Sequence, residues 1–253
     1  MDYSITVKHL DVVDSTNRYV RDEAVGLWRE RCGEDFVAVT ARQQTAGRGQ
    51  RGNVWQSQSG CNLLMSILVR PGNSLETKEQ FLLSQAVAVS LHDAMKCYGI
   101  DTKFKWPNDI YVGSGKLAGI LVEVDYSGAF VEQAIIGIGL NVNQTEFPPM
   151  DRVPVSMKML LGRDISVEDV LHDILCNFSH YYSEMRWGCK SAIAADYKAL
   201  LLGLGEQRKF VNSNGNAFEA VMEGVEPTGH LLLRHSCGTL SRYAFKEVEM
   251  LLK

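Results

Sequence analysis

The chain of 253 residues is long enough for one large domain or a large and a small one, at about 150 residues per domain. With 45% apolar and 22% charged residues it has the composition of a folded globular protein, which excludes a disordered or low-complexity function. Twenty-six basic against 30 acidic side chains leave a net charge of −4, so no overall positive field is present to hold a nucleic-acid backbone. In chain order, Asp14-Ser15 precedes an i, i+3/i+4 apolar pattern (Tyr19, Val20, Ala24, Leu27, Trp28) that stops at Gly33, which predicts an N-capped helix. Residues 36–40 read as a short strand. From 42 to 60 the apolar periodicity gives way to Gly, Gln and Ser, and long loops of that kind are usually functional. A strand over 62–69, a long helix over 76–98 and a strand over 103–106, cut short by Pro107, come next. Residues 110–112, the turn Gly113-Ser114-Gly115 and the apolar run 117–124 form a predicted hairpin, and 134–140 is a strand ending in Asn141-Val142-Asn143.

Two helices are predicted over 166–187 and 190–202, the first with Ser166 as N-cap and Glu168 and Asp169 in its opening turn. After Gly203-Leu204-Gly205 the pattern changes to short strands at 209–212, 218–224, 231–235 and 245–251, the spacing of a small β-barrel. Alternating strands and helices before that point predict an α+β fold built in α/β layers, with one domain over 1–203 and a second over 204–253. The six cysteines, at 32, 61, 97, 176, 189 and 237, include no CxxC pair and no histidine at zinc spacing, so reduced and largely buried thiols of a cytoplasmic protein are expected. Met1-Asp2-Tyr3-Ser4 does not begin a signal peptide, and no run reaches the roughly 18 apolar residues of a membrane span.

Four segments carry candidate chemistry. In Thr45-Ala46-Gly47-Arg48-Gly49-Gln50-Arg51-Gly52-Asn53-Val54-Trp55, closely spaced glycines let backbone N–H groups converge and Arg48 and Arg51 add cations, which suits an anion; a mobile basic surface loop is the alternative. No Gly-Lys-Ser/Thr follows and no helix pattern opens there, so it is neither a Walker loop nor a dinucleotide fingerprint. In Lys105-Trp106-Pro107-Asn108-Asp109 a proline-broken strand presents a carboxamide and a carboxylate, able to read a base edge, hold a metal or orient a cation, or simply to make a turn. Gly115-Lys116-Leu117-Ala118-Gly119 puts one lysine into an apolar hairpin, where a solvated lysine is the plain reading, and Ile138-Gly139-Leu140-Asn141 ends a strand with a close-approach glycine and a polar group.

In order and company these segments, with the opening Val13-Asp14-Ser15-Thr16-Asn17, resemble the biotin–protein ligases from about residue 10 to the C-terminus. The resemblance implies a class II aminoacyl-tRNA synthetase/biotin ligase-like catalytic domain followed by an SH3-like β-barrel. It implies formation of biotinyl-5'-AMP from biotin and MgATP, then transfer of biotin to a lysine of a biotin carboxyl carrier protein such as the acetyl-CoA carboxylase subunit. Ser15, Thr16, Asn17 and Gln44 would then face the ureido ring, with Arg48, Gly49, Gln50, Lys116 and Gly119 along the rest of biotin. Trp55, Asn108 and Asn141 would hold adenine, and Lys116, Arg48, Arg51 and Asp109 would be catalytic, Asp109 serving Mg²⁺ or an attacking lysine. Joining two anions calls for cations: at 4 Å and an effective dielectric of 20, one charge pair interacts by about 4 kcal/mol.

Gln50 stands where many members carry arginine, and the ligase motifs begin within about 15 residues of Met1. The second point implies the monofunctional type, without an N-terminal DNA-binding domain and without DNA or membrane as partners; a homodimer is compatible. A lipoate–protein ligase of the same superfamily is the nearest alternative, but its Arg-Arg-x-Ser-Gly-Gly-Gly stretch is missing. Two Met-Lys decoys, around Lys96 and Lys158, resemble a biotin acceptor site but fall in helical patterns.

Overall fold

The computed structural model describes residues 7–30, 35–149 and 152–252, without the side chains of Glu30 and Arg51. Expectations that concern Met1–Ser4, Cys32 and Gly33 therefore lie outside the described residues. The larger sheet holds β1 (Val7–Val13), β2 (Phe36–Gln44), β3 (Leu63–Val69), β4 (Gly72–Glu76), β5 (Lys103–Lys105), β6 (Asp109–Val112), β7 (Gly115–Ser127) and β8 (Phe130–Leu140). Its order is β1-β2-β3-β8-β7-β6-β5, with β4 on β8 beside that path. Among the described strands only β1 and β2 pair in parallel and the other strand pairs are antiparallel, so the helices are inserted between hairpin-like strands instead of forming repeated crossovers.

Strand alternation divides this sheet into two faces. Phe36, Ala38, Met65, Ile67, Ile136 and Ile138 point to one side, against α2 (Phe81–Cys97), α4 (Val167–Arg186) and α5 (Lys190–Ala199). Val37, Val39, Leu68 and Ile135 point to the other, under Val20, Ala24 and Leu27 of α1 (Thr16–Glu30). Covered on both faces, β3 is buried at every residue, which is why its sequence is a nearly unbroken apolar run. Each such Leu or Ile contributes about 1.5–3 kcal/mol on burial.

The smaller sheet comprises β9 (Gln207–Asn212), β10 (Ala217–Val225), β11 (Leu231–His235), β12 (Leu240–Tyr243) and β13 (Val248–Met250), in the order β12-β11-β10-β9-β13. Its end strands, β12 and β13, do not pair with each other among the described residues, so it is not closed as a barrel. Its apolar side joins the main core. Phe245 packs on Phe81 and Trp106, and the Trp106 indole N–H donates to Gly229 O at 2.9 Å.

Several expectations need adjusting. The helix foreseen over 76–98 begins at Phe81, because β4 and the short turn Thr77–Glu79 occupy its first residues. The strand foreseen at 36–40 runs on to Gln44, since its polar end pairs with β1. Ser166 caps α4 as predicted, accepting from Asp169 N, and Ser156 caps α3 (Met157–Leu161), the helical pattern around Lys158. Both Met-Lys decoys are helical. The described cysteines are all free, but they are not largely buried: Cys97, Cys189 and Cys237 sit exposed at helix ends and a turn, and Cys61 and Cys176 are half-buried. No helix among the described residues is long and apolar enough to cross a membrane.

Candidate functional site

The site lies on the α1 side of the larger sheet, where β7 and β8 carry glycines. Gly119 pairs with Gly139 and Leu121 with Gly137, so a trough runs across strands that elsewhere bear Ile, Leu and Val. A Cβ on Gly137 would come within 2.9 Å of Asn17 Cγ, and one on Gly139 within 2.7 Å of Trp55 Nε1. The Asn17 amide and the Trp55 indole thus occupy space that only glycine leaves.

At the Asn17 end the polar groups are fixed by one another. Gln44 Oε1 accepts from Thr16 N at 2.7 Å and from Thr16 Oγ1 at 3.2 Å, capping α1 from the end of β2. Ser66, the one polar residue of β3, lies 2.8 Å from Thr16 Oγ1 and 2.6 Å from Asn17 Oδ1. Asn17 Nδ2 donates to Glu123 Oε2 at 2.9 Å. Glu123 also receives Arg21 at 3.1 Å and Arg48 at 3.4 Å, so Arg48, half-exposed, is docked on a carboxylate. The loop that carries Arg48 folds back on itself: Gly49 N donates to Asn53 O at 2.7 Å and Trp55 N to Gly47 O at 2.9 Å. Arg51 lies in its short 3₁₀ turn, Gln50–Gly52, and its side chain is outside the described set.

At the other end the charges are concentrated. Asp109, 4% exposed, accepts from Lys116 Nζ at 2.7 Å on one oxygen and from Arg152 Nη1 at 2.6 Å on the other. Arg152 Nη2 reaches Glu249 of β13 at 2.7 Å, and Lys105 Nζ, equally buried, stands 3.6 Å from the same carboxylate. Burial, then the Arg152 charge, pull the Lys105 ammonium below its ordinary range. Burial alone would raise Glu249, but Lys105 and Arg152 outweigh it and hold the carboxyl below its usual range. Tyr111, with its hydroxyl buried and unpartnered, is pushed up to about 12 by burial and by Asp109.

Two adjoining cavities meet here. One of about 210 Å³ is lined by Ser15, Thr16, Asn17, Gln44, Arg48, Gly49, Gln50, Trp55, Asn108, Asp109, Lys116 and Gly119, which brings together nearly every residue singled out from the sequence. The second, of about 360 Å³, is lined by Asn141, Gln56, Phe147, Pro149 and Pro154. Trp55, Lys116 and Arg152 line both. Lys116 Nζ sits 5.5 Å from the Trp55 ring centroid. Neither asparagine amide is free: Asn108 Nδ2 donates to Ile120 O at 2.7 Å and Asn141 Nδ2 to Val155 O at 3.1 Å, so both brace the walls.

A metal fits poorly among the protein groups alone. No cluster of three His, Cys, Asp or Glu side chains is present among the described residues, and both oxygens of Asp109 are engaged by cations. Ser66, Lys105, Glu123, Arg152 and Glu249 were not among the expected site residues. Lys105 stands inside a quoted motif and Glu123 inside the predicted hairpin run 117–124, whereas nothing local marks Arg152, which meets Asp109 across 43 positions.

Residues 10–141 match the model of the biotin/lipoate A/B protein ligase family. The chain is 32% identical over 237 residues to the bifunctional ligase/repressor BirA of Bacillus subtilis, covering 92% of this chain and 71% of that protein. It is 30% identical over 234 residues to the biotin–[acetyl-CoA-carboxylase] ligase of Paracoccus denitrificans, covering 89% and 92%. The structure of the Aquifex aeolicus biotin protein ligase in complex with biotin and ATP superposes with a TM-score of 0.79 at 25% identity, over 98% of this chain and 99% of that one.

Proposed function

The chain belongs to the biotin/lipoate A/B protein ligase family, and from that premise we propose that it is an ATP-dependent biotin–protein ligase acting on a biotin carboxyl carrier protein. The observation that carries this reading is the position of Lys116 on the wall shared by two cavities, one polar at its Asn17 end and one lined by Phe147 and Asn141, with Trp55 lining both. Biotin in the first would present its ureido ring to Ser15, Thr16, Asn17 and Gln44, with its carboxylate toward Lys116. ATP in the second would present its α-phosphate to the same ammonium, with adenine near Trp55 and Asn141 and with Asn108 bracing the wall.

In the first step a carboxylate oxygen attacks the α-phosphorus, the mixed anhydride forms and pyrophosphate leaves with the electron pair of the broken P–O bond. Lys116, Arg48 and Arg51 would supply the positive charge that lowers the repulsion between the two anions, Arg48 by exchanging Glu123 for phosphate. Mg²⁺ would come with the triphosphate, since the protein's own carboxylate at this place, Asp109, is held by two cations. Asp109 would orient the acceptor lysine of the second step once Lys116 or Arg152 gives up one of its oxygens.

The glycine trough and strand order support a class II synthetase-like catalytic domain over 1–203. The five short antiparallel strands support an SH3-like domain over 204–253. Unpaired thiols support a cytoplasmic setting. The overall charge of −4 gives no support for DNA as a partner, and β1, an end strand of its sheet, offers an edge for a homodimer. The test is exchange of labelled pyrophosphate into ATP with biotin or lipoate added separately. Exchange with biotin is expected; exchange with lipoate alone would assign the alternative activity, and exchange with neither would leave a binding protein.

A further inference from the structure

We infer that Glu249, delivered by the smaller sheet, is a positioning residue for the transfer step, setting the charge that the acceptor lysine meets. The inference rests on the ligase reading above. Lys116 and Arg152 hold Asp109, and Glu249 is the second anion of the group, 2.7 Å from the same Arg152 and 3.6 Å from a third cation, Lys105. The two half-reactions ask opposite things of this place. Adenylation joins two anions and is helped by cations. Transfer brings in a lysine ammonium, which sheds one proton to solvent water before its nitrogen attacks the acyl carbon. The C–N bond then forms, the anhydride C–O bond breaks, AMP leaves with that electron pair, and a second proton goes to water as the amide forms.

With Glu249 ionised, the cluster has three positive and two negative groups. Neutralised, it has three against one. Lys105 and Arg152 then lose the carboxylate that balances them, and the incoming ammonium faces a more repulsive field. Glu249 does not touch biotin or the nucleotide in this account; it acts through Arg152 and Lys105. No local signal in the sequence points to it, because its partners lie on β5 and on the segment after β8.

The test uses the full chain and Glu249→Gln, which keeps an oxygen to accept from Arg152 and removes only the charge. Three rates are compared: biotin-dependent pyrophosphate exchange, transfer from preformed biotinyl-AMP to a purified biotin carboxyl carrier domain, and cleavage of the enzyme-bound adenylate by hydroxylamine, a nucleophile neutral near pH 7. Carrier transfer is expected to fall at least about tenfold further than either of the other rates. Glu249→Asp, which restores the charge, is expected to recover most of the carrier rate. Equal losses in all three assays, or an aspartate variant as slow as the glutamine one, would overturn the inference while leaving the ligase reading intact. A wild-type chain without biotin-dependent exchange would overturn both.

Discussion

Trp55 and Gly139 are interlocked: a Cβ on Gly139 would lie 2.7 Å from the indole Nε1, so the ring is seated where the strand has no side chain. Gly139→Ala should therefore unseat Trp55 at a cost of about 1–3 kcal/mol, the usual range for overpacking. In a Trp187→Phe background, which removes the most exposed indole, the emission of the remaining tryptophans should shift to longer wavelength, and the KM for ATP should rise more than that for biotin. Unaltered emission together with unaltered kinetics would count against the seating.

Lys116→Ala should lower pyrophosphate exchange by about 10²–10³-fold, the scale for losing one preorganised electrostatic contact in a transition state. Biotin binding should survive, because the Asn17 end of the cavity does not depend on Lys116. Titration calorimetry beside the exchange assay separates the two effects. Loss of binding in proportion to the rate would mean that Lys116 serves the ground state.

Gln50 lines the first cavity without a charge. Gln50→Arg should slow the escape of biotinyl-AMP by about three- to tenfold, as one added cation would near a phosphate. A chase of preloaded enzyme with unlabelled biotin and ATP measures it, and an unchanged dissociation rate would refute it.

His92 is 5% exposed, lies 2.8 Å from Thr102 Oγ1 through Nδ1, and is held below its ordinary pKa of 6.5, first by burial. The folded state thus binds a proton less readily than the unfolded one. Stability is complete above the ordinary histidine range and is lost as pH falls through 6.5 toward the lower folded value. Melting temperature should decline between about pH 7.5 and 5.5, and His92→Asn, which retains a donor or acceptor for Thr102, should flatten that decline. Parallel pH profiles for the two proteins would exclude His92 as the cause.

Much of the site was legible because its chemistry is local. Glycines that relieve a close approach and arginines that bring charge cluster within residues 45–55, and Lys116 stands out against an apolar strand. Residues whose partners are distant in sequence carry no such local mark. Arg152 becomes part of the site only because β6 presents Asp109 to it, and Glu249 only because β13 packs beside β9. Ser66 is one polar residue in an apolar strand, and only the alternation of β3 turns it toward Thr16 and Asn17. Asn141 was recognisable as a polar strand end, yet its amide braces Val155, a pairing that depends on how residues 152–156 return to β7. In the fold, β1 went unseen because a partly exposed strand at a sheet edge has no strict alternation, and a parallel partner leaves no hairpin turn to mark it.

Trp106 is a residue of the turn that offers Asn108 and Asp109 to the cavity, and its indole is fastened to Gly229 of the smaller sheet. Heat cannot release that sheet without loosening the turn, and Phe104, stacked on Tyr197 two residues earlier, extends the same seam into α5. The expected outcome is melting in a single cooperative event, with a nucleotide or adenylate held at the turn raising the transition of both sheets together in calorimetry, by the mass-action stabilisation that any ligand of the native state confers.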